Sequence, residues 1–131
     1  MLMETITVKT AKQTEVIDIT GRVEHIVAES GVKEGMCLVF VPHATAAIIL
    51  NENEPNLQED YIKFFEQVAP KKDWAHNSID NNAEAHLKSA LFGQSKTIPI
   101  GNKTLVRGTW QQILLCEFDG PRERKVTIVC R

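Results

Sequence analysis

The period of the apolar positions changes several times along the chain, and each change marks an element. Thr5-Ile6-Thr7-Val8 and Val16-Ile17-Asp18-Ile19 alternate polar with apolar, the two-residue period of half-buried strands. The intervening Lys12-Gln13 makes an antiparallel pair of these two strands the expected arrangement. Thr20 then suits a helix N-cap, Val23, Ile26 and Val27 follow helical spacing, and Gly31 suits the residue just past the C-terminus. His25 falls off that stripe and is expected in solvent. "MCLVFV" (Met36 to Val41) and "AAIIL" (Ala46 to Leu50) are short unbroken apolar runs, read as strands buried on both faces. Pro42 stops the first, and His43 follows it.

Pro55 opens a helix in which Leu57, Tyr61, Phe64, Phe65 and Val68 share one face, and Pro70 ends it. Asn82 is read as the N-cap of a third helix reaching Leu91, with Gly93 beyond. "TIPI", a Gly101-Asn102 turn, "TLVRGTWQQILLCEF", a turn at "DGPR" and "KVTIVCR" follow as a run of antiparallel strands. About seven or eight strands and three helices, not in βα alternation, define an α+β fold. With 131 residues and no linker or repeat, residues 1–131 are expected to form a single domain. A sheet that large beside few helices leaves an apolar face underused, and a symmetric homo-oligomer is the expected remedy.

Composition narrows the function. Fifteen basic against seventeen acidic side chains give a net charge of −2 with no long basic run, which argues against nucleic-acid binding. No apolar run approaches the ~20 residues of a membrane span. The start, "MLMETITVKT", alternates and lacks the apolar core of a signal peptide. Cys37, Cys116 and Cys130 sit far apart in apolar runs, with no CxxC spacing, and are expected as reduced core thiols in a cytoplasmic protein.

The candidate chemistry concentrates in "AHNSIDNNAEAHLKSALFG", Ala75 to Gly93. On a helical wheel Ala83, Leu87, Ala90 and Leu91 span one arc, with His86 at its edge and Asn82 beside it. The loop ahead delivers His76 and Asp80 toward the helix N-terminus, which favours phosphate or carboxylate. Imidazoles near an aspartate bind a metal or exchange protons, the aspartate fixing the tautomer. His43 is the remaining candidate for a third imidazole, and His43, His76 and His86 together would make a catalytic metal site. Equally, Asp80, Asn81 and Asn82 read as turn and cap residues. In "GTWQQI" Gln111 is taken as ligand-facing and Glu117 as paired with an arginine; about 20 Å of strand keeps them out of one site in one subunit. Glu52 is placed either in the cleft with His43 or as an acid favoured by the following helix. Arg122 and Arg124 flank a turn, as a phosphate clamp or as solvated charges.

"HATAAIILNENEP", "HN…NNAEAHLKSALFG", "TIPI", "GTWQQI" and "EFDGPR" occur here in an order that resembles the YjbQ-like family, from Glu15 to Val129. That resemblance implies a compact α+β homotrimer with weak thiamine-phosphate synthase activity. It implicates His43, Glu52, His76, His86 and Gln111, with the family's acidic position near Asp80 and with Thr45 and Asn82 beside the ligand. This chain has Asn81 and Asn82 where many relatives carry paired aspartates, and Ala44 where they often carry a hydroxyl. The implied reaction joins a pyrimidine-methyl pyrophosphate to a phosphorylated thiazole with loss of pyrophosphate. Its leaving group calls for Mg²⁺, for which Asp80 and Glu52 are the ligands available, whereas three imidazoles suit Zn²⁺. Three readings follow: an enzyme acting on a phosphorylated small molecule, a Zn-dependent hydrolase, and a non-catalytic anion-binding module.

Overall fold

The computed structural model describes residues 1–131. Eight strands form two antiparallel sheets, and three helices pack on them. The strands are β1 (Leu2–Lys9), β2 (Glu15–Asp18), β3 (Gly35–Phe40), β4 (Ala46–Asn51), β5 (Ser95–Gly101), β6 (Thr104–Leu105), β7 (Gln112–Glu117) and β8 (Glu123–Cys130). The helices are α1 (Thr20–Ser30), α2 (Pro55–Val68) and α3 (Ala83–Phe92), with a single 3₁₀ turn at Ala75–Ser78. The larger sheet runs β1-β8-β3-β5-β6 and the smaller β2-β7-β4. The expected α+β class, strand count and helix count hold.

The pairing differs from the expected meander. β1 pairs with β8 and β2 with β7, so the segment at Lys12-Gln13 passes between sheets instead of closing a hairpin. The "DGPR" turn does the same between β7 and β8. Residue patterning alone does not choose a strand's partner, and here short turns hop from one sheet to the other. In the β5–β6 hairpin Asn102 and Lys103 both take positive φ (50° and 67°), so the turn centre sits one residue past the expected Gly101-Asn102.

Two cores result. The first lies between the inner faces of the sheets and α1, and includes Val23, Val39, Ile48, Leu115 and Ile128. The second lies on the other face of the small sheet, where Ala47, Leu114 and Cys116 meet Tyr61 and Phe65 of α2 and Ala85 of α3. β4 and β7 are therefore apolar on both faces because both faces are covered. β3 is not: Cys37 and Val39 point inward, while Met36 (56% exposed) and Phe40 (38%) face solvent with Met3 of β1.

Local chemistry sets the helix ends. Glu54 caps α2 by accepting from the amides of Asn56 and Leu57, and Pro55 occupies the first turn. Gly31 ends α1 at φ 73°. α3 departs from expectation in its facing. Ala85, Lys88 and Ser89 are buried, whereas Leu87 (43%) and Leu91 (63%) are exposed. Small Ala85 and Ser89 let the helix approach β4 closely, and the Ser89 hydroxyl donates to the Ala46 carbonyl at 2.6 Å.

Candidate functional site

The expected residues divide between the two ends of the small sheet. β4 and β7 pair so that Ala46 meets Glu117 at one end and Asn51 meets Gln112 at the other. That places His43 and Thr45 with Glu117 and Asp119, and Glu52 with Gln111. Six extended residues separate the groups by roughly 20 Å. Glu52 therefore does not share a cleft with His43 within one chain; its carbonyl accepts from the Tyr61 hydroxyl. Gln111 is exposed and closes its own loop, its side-chain oxygen accepting from the Gly108 amide at 2.8 Å. Trp110 beside it is 71% exposed.

At the other end a buried ion pair forms the floor. Arg124 (1% exposed) and Glu117 (0%) meet through both carboxylate oxygens. Arg124 also donates to the Thr45 hydroxyl at 2.8 Å and the Thr45 carbonyl at 3.1 Å, and Thr10 donates to Glu117 at 2.8 Å. Thr45 is thus committed to the arginine and is buried, not ligand-facing. Arg124 belongs to β8 and Glu117 to β7, so the pair pins the two sheets together. Arg124 serves structure, and only Arg122 remains exposed, bound to Asp119 at 3.1 Å.

His43 stands over this floor. Its Nε2 accepts from the Lys125 amide at 2.9 Å, which puts the proton of the neutral ring on Nδ1 and occupies the lone pair a metal would need there. Burial and then the Arg124 guanidinium push the imidazole below its ordinary value, against the opposing pull of Glu117.

His76 and His86 come together as the sequence suggested. The 3₁₀ turn delivers His76 and the flank of α3 carries His86, their rings edge to face with centroids 4.8 Å apart. They line a pocket of about 360 Å³ with Trp74, Ala75, Ala83 and Leu87. Asn82 does not cap α3 with its side chain; Asn77 does so, accepting from the Ala83 amide at 2.9 Å. Asn82 instead bridges His76 (2.8 Å) to Asp119 (2.9 Å). Because the Asn82 amide nitrogen donates to the Asp119 carboxylate, its oxygen faces His76, and His76 Nε2 must be the donor. The neutral His76 ring then carries its proton on Nε2 and leaves Nδ1 free as a base. The carboxylate that orients His76 is Asp119, acting through Asn82, and not Asp80, which is exposed and whose carboxylate forms no hydrogen bond within the chain. Asp119 lay hidden in "EFDGPR", where an Asp-Gly-Pro sequence reads only as a turn.

No group of three or more His, Cys, Asp or Glu side chains within the chain is arranged to hold a metal ion. His43 is turned to the Lys125 amide, so it does not complete a triad with His76 and His86 in one protomer.

Two antiparallel sheets with a helix-backed smaller sheet and a paired-imidazole rim define an α+β domain of one kind. The sequence model of the "UPF0047 protein YjbQ-like" family matches residues 4–130, and the chain belongs to that family. A UPF0047 protein of Archaeoglobus fulgidus is 46% identical over 94% of this chain and 96% of its own length. The UPF0047 protein YugU of Bacillus subtilis is 40% identical over 94% of each. Among solved structures, a YbjQ-like protein of unknown function from Sulfolobus solfataricus P2 superposes with a TM-score of 0.97 at 47% identity, covering 98% of this chain and 95% of that one. A family member from Clostridium acetobutylicum gives 0.92 at 42% identity, covering 98% and 99%. No helix of the chain is long and apolar enough to cross a membrane.

Proposed function

We propose that the chain is an enzyme acting on a phosphorylated small molecule, with His76 and His86 as the proton-handling groups. The observation that carries this reading is the oriented imidazole pair at the pocket wall, His76 being held in one tautomer by the Asn82–Asp119 relay. Such a relay suits a general base, whose free nitrogen must face the reacting atom. Once protonated, each imidazole offers two N–H donors, which suits phosphate or pyrophosphate oxygens. A base at His76 Nδ1 would accept a proton from the attacking group, and the neighbouring imidazolium would neutralise the departing phosphate. In the thiamine-phosphate condensation implied by the family resemblance the thiazole nitrogen attacks without releasing a proton, so there the imidazoles would serve only to neutralise the departing pyrophosphate.

A second part of the proposal concerns assembly. The exposed Trp110–Gln111 loop and the apolar outer face of the large sheet (Met3, Met36, Phe40) are surfaces suited to a second copy of the chain.

The test is turnover across a panel of phosphorylated metabolites, including the pyrimidine pyrophosphate and thiazole phosphate pair, followed by ³¹P NMR. His76→Gln and His86→Gln are expected to lower turnover at least ~10²-fold with unchanged circular dichroism. Turnover in both variants equal to that of the native protein, or no consumption of any phosphorylated compound, would overturn the reading.

A further inference from the structure

A lysine occupies the position on α3 where burial alone would place a leucine. Lys88 is 6% exposed, while Leu87 and Leu91 on the same helix face solvent. Its ammonium forms no hydrogen bond and no ion pair within the chain; its one close partner is the Phe118 ring, 5.6 Å from Nζ to centroid. Every fully buried side-chain nitrogen and oxygen of the molecule has a hydrogen-bond partner, so Lys88 Nζ, which has none, must open on a cavity. That cavity measures about 610 Å³ and lies between α2, α3, the β1–β2 connection and Phe118. Its volume is that of a small-molecule site.

The lining says what kind of molecule fits. Gln13, Thr14 and Asn81 supply neutral polar groups, and Ile62, Ala85 and Phe118 supply an apolar wall. Lys12, Lys71 and Lys88 are balanced overall by Glu66, Glu84 and Asp119, so the cavity is no general sink for anions. The imbalance is local. Asp119 is already taken by Asn82 and Arg122, and Glu84 accepts from Asn77 at 3.4 Å. Lys88 is the one lysine of the lining whose side chain is largely buried, and its ammonium forms an ion pair with neither Glu84 nor Glu66. Burial pulls its amine below the ordinary lysine value, and Glu84 and then Glu66 pull it back without touching it. An ammonium that opens on the cavity with no partner in the chain is a ready donor to an anionic oxygen brought by a ligand.

We propose that this cavity is an anion subsite in which Lys88 Nζ receives a phosphate or carboxylate oxygen of a small molecule whose body lies on Phe118 and Ile62. The subsite adjoins the histidine pair through Asn82, which lines the cavity and bonds His76. Binding at Lys88 requires no chemistry at His76, so the two ideas fail separately.

The probes are inorganic phosphate and succinate, titrated into the native protein while the lysine ¹³Cε resonances are followed by NMR. One of them is expected to shift the Lys88 signal saturably below about 10 mM and to raise the pH at which that amine titrates. Saturation by phosphate alone assigns a phosphorylated ligand, and saturation by succinate alone a carboxylate. Lys88→Met is expected to weaken binding at least tenfold, read by calorimetry, while Lys88→Arg retains it. Absence of a saturable shift with both probes, or unaltered affinity in Lys88→Met, would overturn the proposal.

Discussion

Replacing Arg124 by methionine tests whether the buried pair holds the two sheets together. The side chain is 1% exposed, and its removal leaves the Glu117 carboxylate at 0% exposure. Glu117 would keep only the Thr10 hydroxyl (2.8 Å) and the Asp119 amide (3.1 Å) as donors. Stranding one member of a buried pair costs about 3–5 kcal/mol. For a chain of this length the unfolding entropy near the midpoint is about 0.28 kcal/mol/K, taking roughly 2.1 cal/mol/K per residue. The expected fall in Tm is therefore about 11–18 °C, measured by calorimetry at neutral pH. The companion Glu117→Met/Arg124→Met variant removes both charges and is expected to recover much of that loss, because an apolar replacement of a buried pair is often neutral. The double-mutant cycle would then show a coupling of about 2 kcal/mol or more. A drop of under about 4 °C for Arg124→Met, or full additivity in the cycle, would refute the assignment.

Four further outcomes follow from the geometry. Light scattering coupled to size exclusion is expected to give three protomers per particle, and Met36→Lys with Phe40→Glu is expected to shift the mass toward one; a monomeric wild type would remove the assembly proposal. The folded state holds His43 below its ordinary value, so the unfolded chain binds the extra proton first and stability falls as pH drops through the imidazole range. His43→Gln is expected to flatten the slope of stability against pH between about 7 and 5, and an unchanged slope would count against that assignment. Burial pushes the Cys37 and Cys116 thiols up to about 12, so neither is expected to react with Ellman's reagent at pH 8 until the chain is unfolded. A Cβ on Gly120 would lie 2.3 Å from the Lys12 carbonyl oxygen, so Gly120→Ala is expected to lower Tm by several degrees, checked by thermal melting.

The sequence made some elements legible and concealed others for identifiable reasons. α2 was readable because Pro55, Glu54 and a clean helical period agree, and β7 because it is apolar on both sides. The sheet partners were not, since β1 and β2 are joined by a short polar segment whether or not they pair. On α3 the wheel favoured Leu87 and Leu91, yet the opposite arc of Ala85, Lys88, Ser89 and Phe92 is the one turned inward. Side-chain size there matters less than how near the helix can come to β4. Of the candidate residues, His76 lies six positions before Asn82 and His86 three after Ala83, so local geometry could bring them together. Asp119 comes from a turn 37 residues past Asn82, which no local pattern links to it.

One continuous line of hydrogen bonds runs from the interior to the rim: Arg124 to Glu117, Glu117 to the Asp119 amide, Asp119 to Asn82, and Asn82 to His76. A catalytic screen in living cells will therefore confuse two kinds of damage. A lesion at the inner end of that line is expected to deplete the polypeptide itself, whereas, on the function proposed for His76, one at its outer tip leaves a well-folded but silent molecule, and only measuring abundance beside turnover tells them apart.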